Sequence, residues 1–447
     1  MLTSYLDYKY RDCISIKKII IPSSTETIGE LAFFGCVNLE EIDLPSSIHT
    51  FMGGAFKECS SLSKIICPKS LKTIESTVFE GCNGLTSIEF NDSLKTIGYS
   101  AFKSCSNLST ISIPDSVASI GYSAFEGCKK LTKVYLGSSL DKIEKYTFSL
   151  CESLVEIFIP ESVSNIDEGA FKNCKSLISF YTGNGVYGIG KDAFSGCDNL
   201  KSITCGKGLT TIGAWAFKNC KNLKSIGINN SIYIGGSAFS GCTSLDSIKV
   251  CDIETWCKMS FKDGENPLKI ANHLYIDGNE VTEVIIPETI VSLGDYIFSG
   301  MENLRKITFH EKLKQIGKFT FANCKELTSV ALPISLTAIG DRAFGDCDKI
   351  ASVYAPFEIP FEISAFSSTV KQSAILYVPV GARSIYQNTK GWEFDNINAD
   401  GVSSIQSLIE SNPTESLWYK LDGTMIKNKP MNRGLYIING KKRIIKR

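Results

Sequence analysis

Residues 101–121 read AFKSCSNLSTISIPDSVASIG, and this stretch contains one copy of a unit that recurs along the chain. The part from Leu108 to Ile113 ends in alternating apolar and polar residues, which predicts a short strand with one buried face. Pro114 ends the strand because it cannot donate a further ladder hydrogen bond. The closing Ile-Gly predicts a turn, and the opening Ala-Phe predicts a tight turn or a short helical piece. The unit therefore predicts one coil of a solenoid.

The spacing of the cysteines indicates that the unit repeats every 23 residues. Cysteines at this spacing are Cys13, Cys36, Cys59, Cys82, Cys105, Cys128, Cys151, Cys174, Cys197 and Cys220. Cys242 follows after 22 residues, Met301 takes the position after an interruption, and Cys324 and Cys347 restore the step of 23. A single coil cannot bury its own apolar face, so stacked coils are expected to share one continuous core.

This register accounts for most of the 17 cysteines. Thirteen occupy the same inward position, and Cys67 and Cys205 occupy a second inward position on the strand. Equivalent residues of stacked strands are roughly 4.8 Å apart and point the same way, whereas a disulfide needs converging Cβ atoms about 3.8 Å apart. We therefore expect buried free thiols that act as small apolar side chains, with disulfides or metal ligation as the alternatives. Cys251 and Cys257 lie outside the framework.

The repeated text A-F-x-x-C-x-x-L-x-x-I-x-I-P resembles the BspA-like leucine-rich repeat family, for example from Ala124 to Cys128 and from Ala343 to Cys347. An interruption with Trp256, Asn266-Pro267 and His273–Gly278 resembles an irregular repeat of that family. Leu376–Gly381, Tyr386 and Gly391-Trp392 resemble its closing repeat and cap. The resemblance covers about residues 8–398. It implies a right-handed leucine-rich-repeat solenoid, β-rich with short helical or turn pieces and a parallel sheet on one face.

The last residues form a separate piece. Leu417–Gly423 and Lys429–Lys442 resemble the small C-terminal β module of secreted or surface proteins of Bacteroidetes-type bacteria, which is similar to sorting domains. The basic run at 441–447 is interpreted as the last strand of a hairpin that turns at Asn439-Gly440, rather than as a localisation signal. The resemblance implies an extracellular or cell-surface location and adhesion to host or neighbouring-cell proteins.

These matches divide the chain into four parts. We expect BspA-like repeats over 1–250 with an incomplete first coil, an irregular repeat over 251–283, repeats and a closing cap over 284–398, and the small β module over 399–447. Tyr10 and Cys13 already occupy the Phe and Cys positions, so the chain begins part-way through a coil. Because a solenoid needs a terminal cap, we expect that a leader and some upstream sequence are missing.

Composition narrows the possible partners. Lys+Arg and Asp+Glu both number 47 among 447 residues, and this balance argues against nucleic acid, which requires a basic face. Hydrophobic residues make up 43% of the chain, yet no apolar stretch reaches the roughly 18 residues that a membrane span needs. We expect a folded monomer without cofactor or metal.

Motifs for chemistry are weak. Gly183–Gly188 matches G-x-G-x-x-G, but the ordinary repeat continues after it where a nucleotide site would require a helix. His49, His273 and His310 lie in different coils, and we expect surface or turn positions for them rather than catalysis or zinc binding. The carboxylates near Glu40 predict a solvated edge, with a weak cation site as the alternative. An enzyme is the least favoured function.

The outward positions of the strands suggest where a partner would bind. Most are small or charged, but three consecutive coils present Tyr135, Phe158 and Tyr181, with Lys133 and Glu156 beside them. Stacked strands would place the three aromatic residues in a column about 10 Å long. The column predicts a protein-binding patch, although aromatic ladders can also simply stabilise neighbouring strands.

The candidate function is a non-enzymatic bacterial surface or secreted adhesion protein. Its repeat array would present an extended sheet face to host matrix proteins, to cell-surface proteins or to neighbouring bacteria. Two alternatives remain: a carbohydrate-binding surface protein, because Tyr and Phe columns also suit sugar rings, and a structural spacer without a specific ligand.

Overall fold

The computed structural model describes residues 7–400 and, beyond them, the backbone of four short strands. The chain forms a parallel-sheet solenoid of about 17 turns with little helix, as predicted. Successive coils stack so that equivalent residues lie side by side, for example Lys133 beside Thr110 and Tyr135 beside Ser112. The 23-residue period is therefore the structural repeat.

The predicted strand of each coil is present, and its outward side is called the front face. The front strands are Lys18–Ile20, Glu41–Asp43, Lys64–Ile66, Ser87–Glu89, Thr110–Ser112, Lys133–Tyr135, Glu156–Ile157, Ser179–Tyr181, Ser202–Thr204, Ser225–Ile228, Ser247–Val250, His273–Ile276, Glu283–Ile285, Lys306–Thr308, Ser329–Ala331, Ser352–Tyr354, Ile375–Tyr377 and Asn396–Asn398. They do not form one continuous sheet, because six separate hydrogen-bonded ladders follow one another along the face. Each strand offers only a few ladder bonds and the coils are also bonded elsewhere, so local separation costs little.

A second series of short strands lies at the Ile-Gly step, where the sequence predicted only a turn, so that prediction was wrong. The residue before this Ile and the Ile itself form a two-residue strand in each regular coil. The second strands are Thr27–Ile28, Thr50–Phe51, Thr73–Ile74, Thr96–Ile97, Ser119–Ile120, Lys142–Ile143, Asn165–Ile166, Gly188–Ile189, Thr211–Ile212, Tyr233–Ile234, Ser260–Phe261, Ser292–Leu293, Gln315–Ile316 and Ala338–Ile339. Stacking in register places equivalent amides and carbonyls side by side, so this segment also forms a parallel ladder.

The Ala-Phe segment is a series of turns, and helices appear only where the repeat changes. Alternate amides of these turns bond to the next coil, as Ser123, Phe125 and Gly127 do with Lys145, Thr147 and Ser149 at 2.8–2.9 Å. The helices are Ile253–Cys257, Leu268–Ala271, Ser368–Ser373 and Arg383–Asn388, with a 3₁₀ turn at Lys262–Gly264. None of the helices in the described part of the chain is long and apolar enough to cross a membrane.

The core is a stack of identical layers. The repeated Phe rings stack nearly parallel from Phe33 to Phe239, with centroids 5.2–5.6 Å apart, and again from Phe298 to Phe366. Parallel rings at this spacing add dispersion contacts to the burial of apolar area. The stack supplies each coil with the apolar partners that it lacks alone.

The cysteines behave as the register predicts. All 17 are free, and the ladder from Cys36 to Cys347 is buried, whereas Cys13 is only partly covered. A hydrogen bond that the register did not predict holds each buried ladder thiol. The thiol donates to the carbonyl of the repeated aromatic residue one coil earlier, over 2.9–3.5 Å. Of the two cysteines outside the framework, Cys257 is buried and Cys251 is exposed.

The interruption is built into the solenoid. Ser247–Val250 pairs in parallel with His273–Ile276, which in turn pairs antiparallel with Asn279–Glu280. The buried Trp256 donates from Nε1 to the carbonyl of Ile297 at 2.8 Å. These contacts connect the irregular repeat to the coils on both sides of it.

The C-terminal strands form a four-stranded antiparallel sheet. Its strands are Trp418–Tyr419, Met425–Ile426, Gly434–Ile438 and Lys441–Ile445. Ile438 pairs with Lys441 and Gly434 with Ile445, which confirms the predicted hairpin at the level of the backbone. The turn at 439–440 and the other residues between these strands lie outside the described residues.

A candidate interaction face on the front strands

Each front strand turns its middle residue inward and the two flanking residues outward. In the strand Lys133–Tyr135 the middle Val134 is buried, while both neighbours are exposed. This alternation follows from the two-residue period of an extended chain. The front face is therefore a grid of side chains with one row per coil.

The predicted aromatic row, Tyr135, Phe158 and Tyr181, lies on this face in three successive coils. The three side chains are 56%, 76% and 45% exposed, respectively. Tyr135 and Tyr181 end front strands, whereas Phe158 follows immediately after the shorter strand Glu156–Ile157. The structure thus places all three where a partner could reach them.

The aromatic row differs from the aromatic pairs elsewhere on the surface. Tyr99 and Tyr122 stack with centroids 5.0 Å apart, and Tyr354 and Tyr377 stack at 4.6 Å. Among the described residues, no ring contact joins any two members of the aromatic row. The three rings are consequently not stacked on one another across neighbouring coils.

Lys133 and Glu156 are neighbours in the strand register, with Nζ and Oε1 3.8 Å apart and both side chains more than half exposed. The same 23-residue pairing joins Lys18 to Glu41 and Lys103 to Glu126. An exposed pair of this kind contributes about 0–1 kcal/mol. The two residues therefore form an ordinary inter-coil ion pair that borders the aromatic row.

The front ladder is interrupted inside the aromatic row. Lys133–Tyr135 pairs with Glu156–Ile157, but the next ladder begins at Ser179–Tyr181. Just before these strands, the amide of Ile178 donates to the carbonyl of Val155 at 3.2 Å, and the two coils are also bonded at their turns, as Phe148 is to Ala170. The three rings thus lie on one face but not on one unbroken sheet.

The candidate motifs for chemistry lie apart from one another within residues 7–400. Gly183–Gly188 runs through a turn into a second strand, and no helix opens there. In the part of the chain that the structure describes, no three His, Cys, Asp or Glu residues cluster as metal ligands. The carboxylates Glu40 and Glu41 are exposed and pair with Lys17 and Lys18.

The histidines occupy varied positions. His49 is exposed, and His310 lies just before a turn, where its Nε2 donates to the carbonyl of Ile290 at 3.1 Å. His273 differs from the expectation, because it lies partly buried on a strand with Nδ1 2.7 Å from Glu280 Oε1. Asn303 also donates to that carboxylate at 2.8 Å, and the hydrogen bonds from Asn303 and His273 lower the pKa of Glu280. This cluster fastens the antiparallel turn of the interruption to the next coil.

Exposed aromatic residues outside the front face, Trp215 among them, were not predicted from the strand pattern. Trp215 lies on the turn side of its coil, with the ammonium groups of Lys191 and Lys218 4.9 and 5.5 Å from its ring centroid. Both distances are typical of cation–π contacts. The signal in the sequence was a large aromatic residue at a position where many other coils have a small one, such as Ser100 and Ser123.

Stacked parallel strands with Leu and Ile at fixed inward positions define a leucine-rich-repeat solenoid. The model of the BspA type leucine-rich repeat region matches residues 2–107, 75–187, 166–269 and 268–389. Because these spans cover most of its length, the chain belongs to the BspA-type leucine-rich repeat family.

Three solved structures are similar to this chain. A leucine-rich repeat protein from Bacteroides ovatus is 28% identical with a TM-score of 0.52, covering 76% of this chain and 87% of that chain. A leucine-rich cell surface protein from Faecalibacterium prausnitzii is 21% identical with a TM-score of 0.35, covering 76% and 88%. The pneumococcal vaccine antigen PcpA is 19% identical with a TM-score of 0.33, covering 90% and 83%. No curated protein matches the chain.

Proposed function

We propose that this chain is a non-enzymatic adhesion protein that binds another protein through its front face. The observation that carries the proposal is the aromatic row, whose three exposed rings make no contact with one another. Exposed aromatic side chains supply rigid apolar area and are enriched at the energetic centres of interfaces. The Lys133–Glu156 pair would contribute the polar border that surrounds such a centre.

The proposed location is the bacterial surface or the extracellular medium, with the chain acting as a monomer. Its support is the resemblance of residues 417–442 to export and sorting modules, together with membership of a repeat family whose members are implied to be surface proteins. The similar solved protein from Faecalibacterium prausnitzii is named a leucine-rich cell surface protein. The proposed partners are host matrix proteins, host cell-surface proteins or proteins of neighbouring bacteria.

The test is a pull-down of surface and matrix proteins with the chain and with the variant Y135S/F158S/Y181S. We expect the variant to lose the captured partner, while its thermal midpoint shifts by less than about 2 °C because the rings are exposed. The matched control I20S/I285S/I334S removes three exposed but scattered apolar side chains and should still bind. Partner binding by the aromatic variant at wild-type strength would place the binding site elsewhere.

The same variants separate the remaining alternatives. Affinity for a glycan array that is lost with the aromatic row would identify a carbohydrate-binding protein, because sugar rings also stack on Tyr and Phe. A chain without any saturable protein or glycan partner would instead be a spacer. Either result would replace protein adhesion as the function.

A further inference from the structure

The front ladder is fully interrupted between the strands Glu41–Asp43 and Lys64–Ile66. The first pairs with Lys18–Ile20 and the second with Ser87–Glu89, and no backbone hydrogen bond joins the two among the described residues. The same coils remain bonded on either side of the interruption, where Thr50 pairs with Thr73 and the amide of Phe33 donates to Ala55 at 2.8 Å. The opening is therefore local to the front face.

Both strand edges at this opening carry unpaired peptide groups. The carbonyl of Asp43 accepts from Ile21 at 3.1 Å on the earlier coil, and the amide of Cys67 donates to Glu89 at 2.9 Å on the later coil. Because peptide groups alternate in direction along a strand, those of Ile42, Lys64 and Ile66 point into the opening. Donors and acceptors of two strands thus face each other without being joined.

A cleft of about 620 Å³ lies between these strands, and we call it the front cleft. Glu41 and Asp43 line one wall, and Lys64 and Ile66 line the other, with the buried Cys67 behind them. Ligand sites typically measure about 300–1,000 Å³. The front cleft is therefore large enough to hold part of a partner molecule.

The ion pairs beside the front cleft point away from it. Lys18 Nζ lies 2.8 Å from Glu41 Oε2, and Lys64 Nζ lies 2.6 Å from Glu89 Oε1. The 23-residue pairing would instead allow Lys64 to reach Glu41 across the cleft, as Lys133 reaches Glu156. No side-chain ion pair of the described residues closes the opening, so a ligand would not have to break one.

We infer that the front cleft binds an extended peptide segment of a protein partner, which adds as a strand to the edge Lys64–Ile66. Only an extended chain repeats amides and carbonyls at about 3.3 Å per residue, so that it can satisfy several groups of such an edge. Ile66, which is 58% exposed, offers an apolar contact to the added strand. The carboxylate of Asp43, whose nearest cation is 3.9 Å away, favours a basic side chain on the peptide.

The front cleft is separate from the aromatic row, so the peptide-binding inference does not depend on the proposed function. The probe is a phage-displayed library of random peptides, selected on the full chain, followed by affinity measurement with a synthetic copy of an enriched peptide. We expect enrichment of sequences that combine β-branched or aromatic residues with Lys or Arg. The variant Y135S/F158S/Y181S should bind that peptide as tightly as the wild type does.

Two proline variants test the backbone pairing. I66P removes an amide that points into the front cleft, and we expect about tenfold weaker peptide binding or more. The matched control I20P removes an amide of a similarly exposed isoleucine on the outer side of its strand, and it should leave affinity unchanged. I66S keeps the amide and should weaken binding less than I66P does.

Hydrogen exchange and a charge reversal provide readouts that do not depend on the folding of I66P. The peptide should slow exchange of the amides of Ile42, Lys64 and Ile66 in the wild-type chain. D43K should weaken a basic peptide about tenfold by replacing attraction with repulsion. Failure to enrich any peptide, equal affinity of I66P and wild type, or protection confined to another region would each overturn the inference.

Discussion

At the residue scale, cysteine suits the repeated position because it combines small apolar volume with a hydrogen-bond donor. The thiol of Cys128 donates to the carbonyl of Phe102 at 3.3 Å while its side chain is fully buried. Alanine would lack the donor, and serine would bury a more strongly polar group. Burial also raises the pKa of Cys82, Cys197 and Cys205 to about 12, so these thiols stay protonated.

Thiol reactivity is therefore expected to separate the ladder from the two accessible cysteines. At about pH 8 a thiol reagent such as DTNB requires exposed thiolate, so Cys251 should react quickly and the partly covered Cys13 more slowly. The buried thiols should stay unreactive even near pH 10, because burial keeps the reagent away from them and, for example, raises the pKa of Cys205 to about 12. Mapping the labelled sites by mass spectrometry checks this.

The chain unfolded in concentrated guanidinium chloride serves as the control, and there all 17 thiols should react. Labelling of several ladder cysteines at the rate of Cys251 in the folded chain would contradict the arrangement of buried thiols.

At the scale of the element, each regular coil depends on residues in the left-handed region around its Ala-Phe turn. Ser123 has φ of 56° and Gly127 has φ of 74°, and these conformations direct alternate amides towards the next coil. The glycine of the Ile-Gly step has another role. A Cβ on Gly121 would lie 2.5 Å from the amide nitrogen of Tyr99 in the preceding coil, so close stacking leaves room only for hydrogen.

Adding a methyl group at Gly121 and removing the side chain of Ser123 test whether close approach or left-handed backbone matters at each position. G121A should lower the free energy of unfolding by about 2 kcal/mol or more, because backbone atoms cannot move away from the added methyl group. S123G should change it by less than about 1 kcal/mol, since relief of the left-handed strain offsets the entropy of glycine. Urea unfolding measures both values. Equal destabilisation by the two substitutions would show that close approach does not explain Gly121.

The sequence predicted some of these elements and not others for a physical reason. Alternation of apolar residues from Leu108 to Ile113 reports which side chains are buried, so the front strand and the inward cysteines could be predicted. The second strands, the thiol–carbonyl bonds and the left-handed residues depend on backbone groups, which leave little trace in side-chain type. The exposure of the aromatic row followed from the same alternation, whereas the interruptions between front strands left no recognisable pattern.

At the scale of the whole molecule, the described packing contacts and hydrogen bonds of a regular coil lie within that coil or join it to its two neighbours. The Phe stack, the two strand series and the turn bonds all join residues about one repeat apart. Such a solenoid is quasi-one-dimensional, and its stability is nearly a sum of coil and interface contributions. The front cleft and the aromatic row are consequently local features. A structural change at one of them is not expected to alter the other.

Removal of one whole repeat should accordingly preserve the fold. Deletion of residues 194–216 joins Ala193 to Phe217 and keeps every position in register, so the shortened chain should retain native-like circular dichroism and cooperative unfolding. Deletion of residues 194–205, about half a repeat, joins Ala193 to Gly206 and places strand residues against turn residues, which buries unpaired peptide groups. We expect this second variant to aggregate or to unfold at a much lower temperature. Similar thermal midpoints for the two deletions would mean that the register of the 23-residue unit does not control stability.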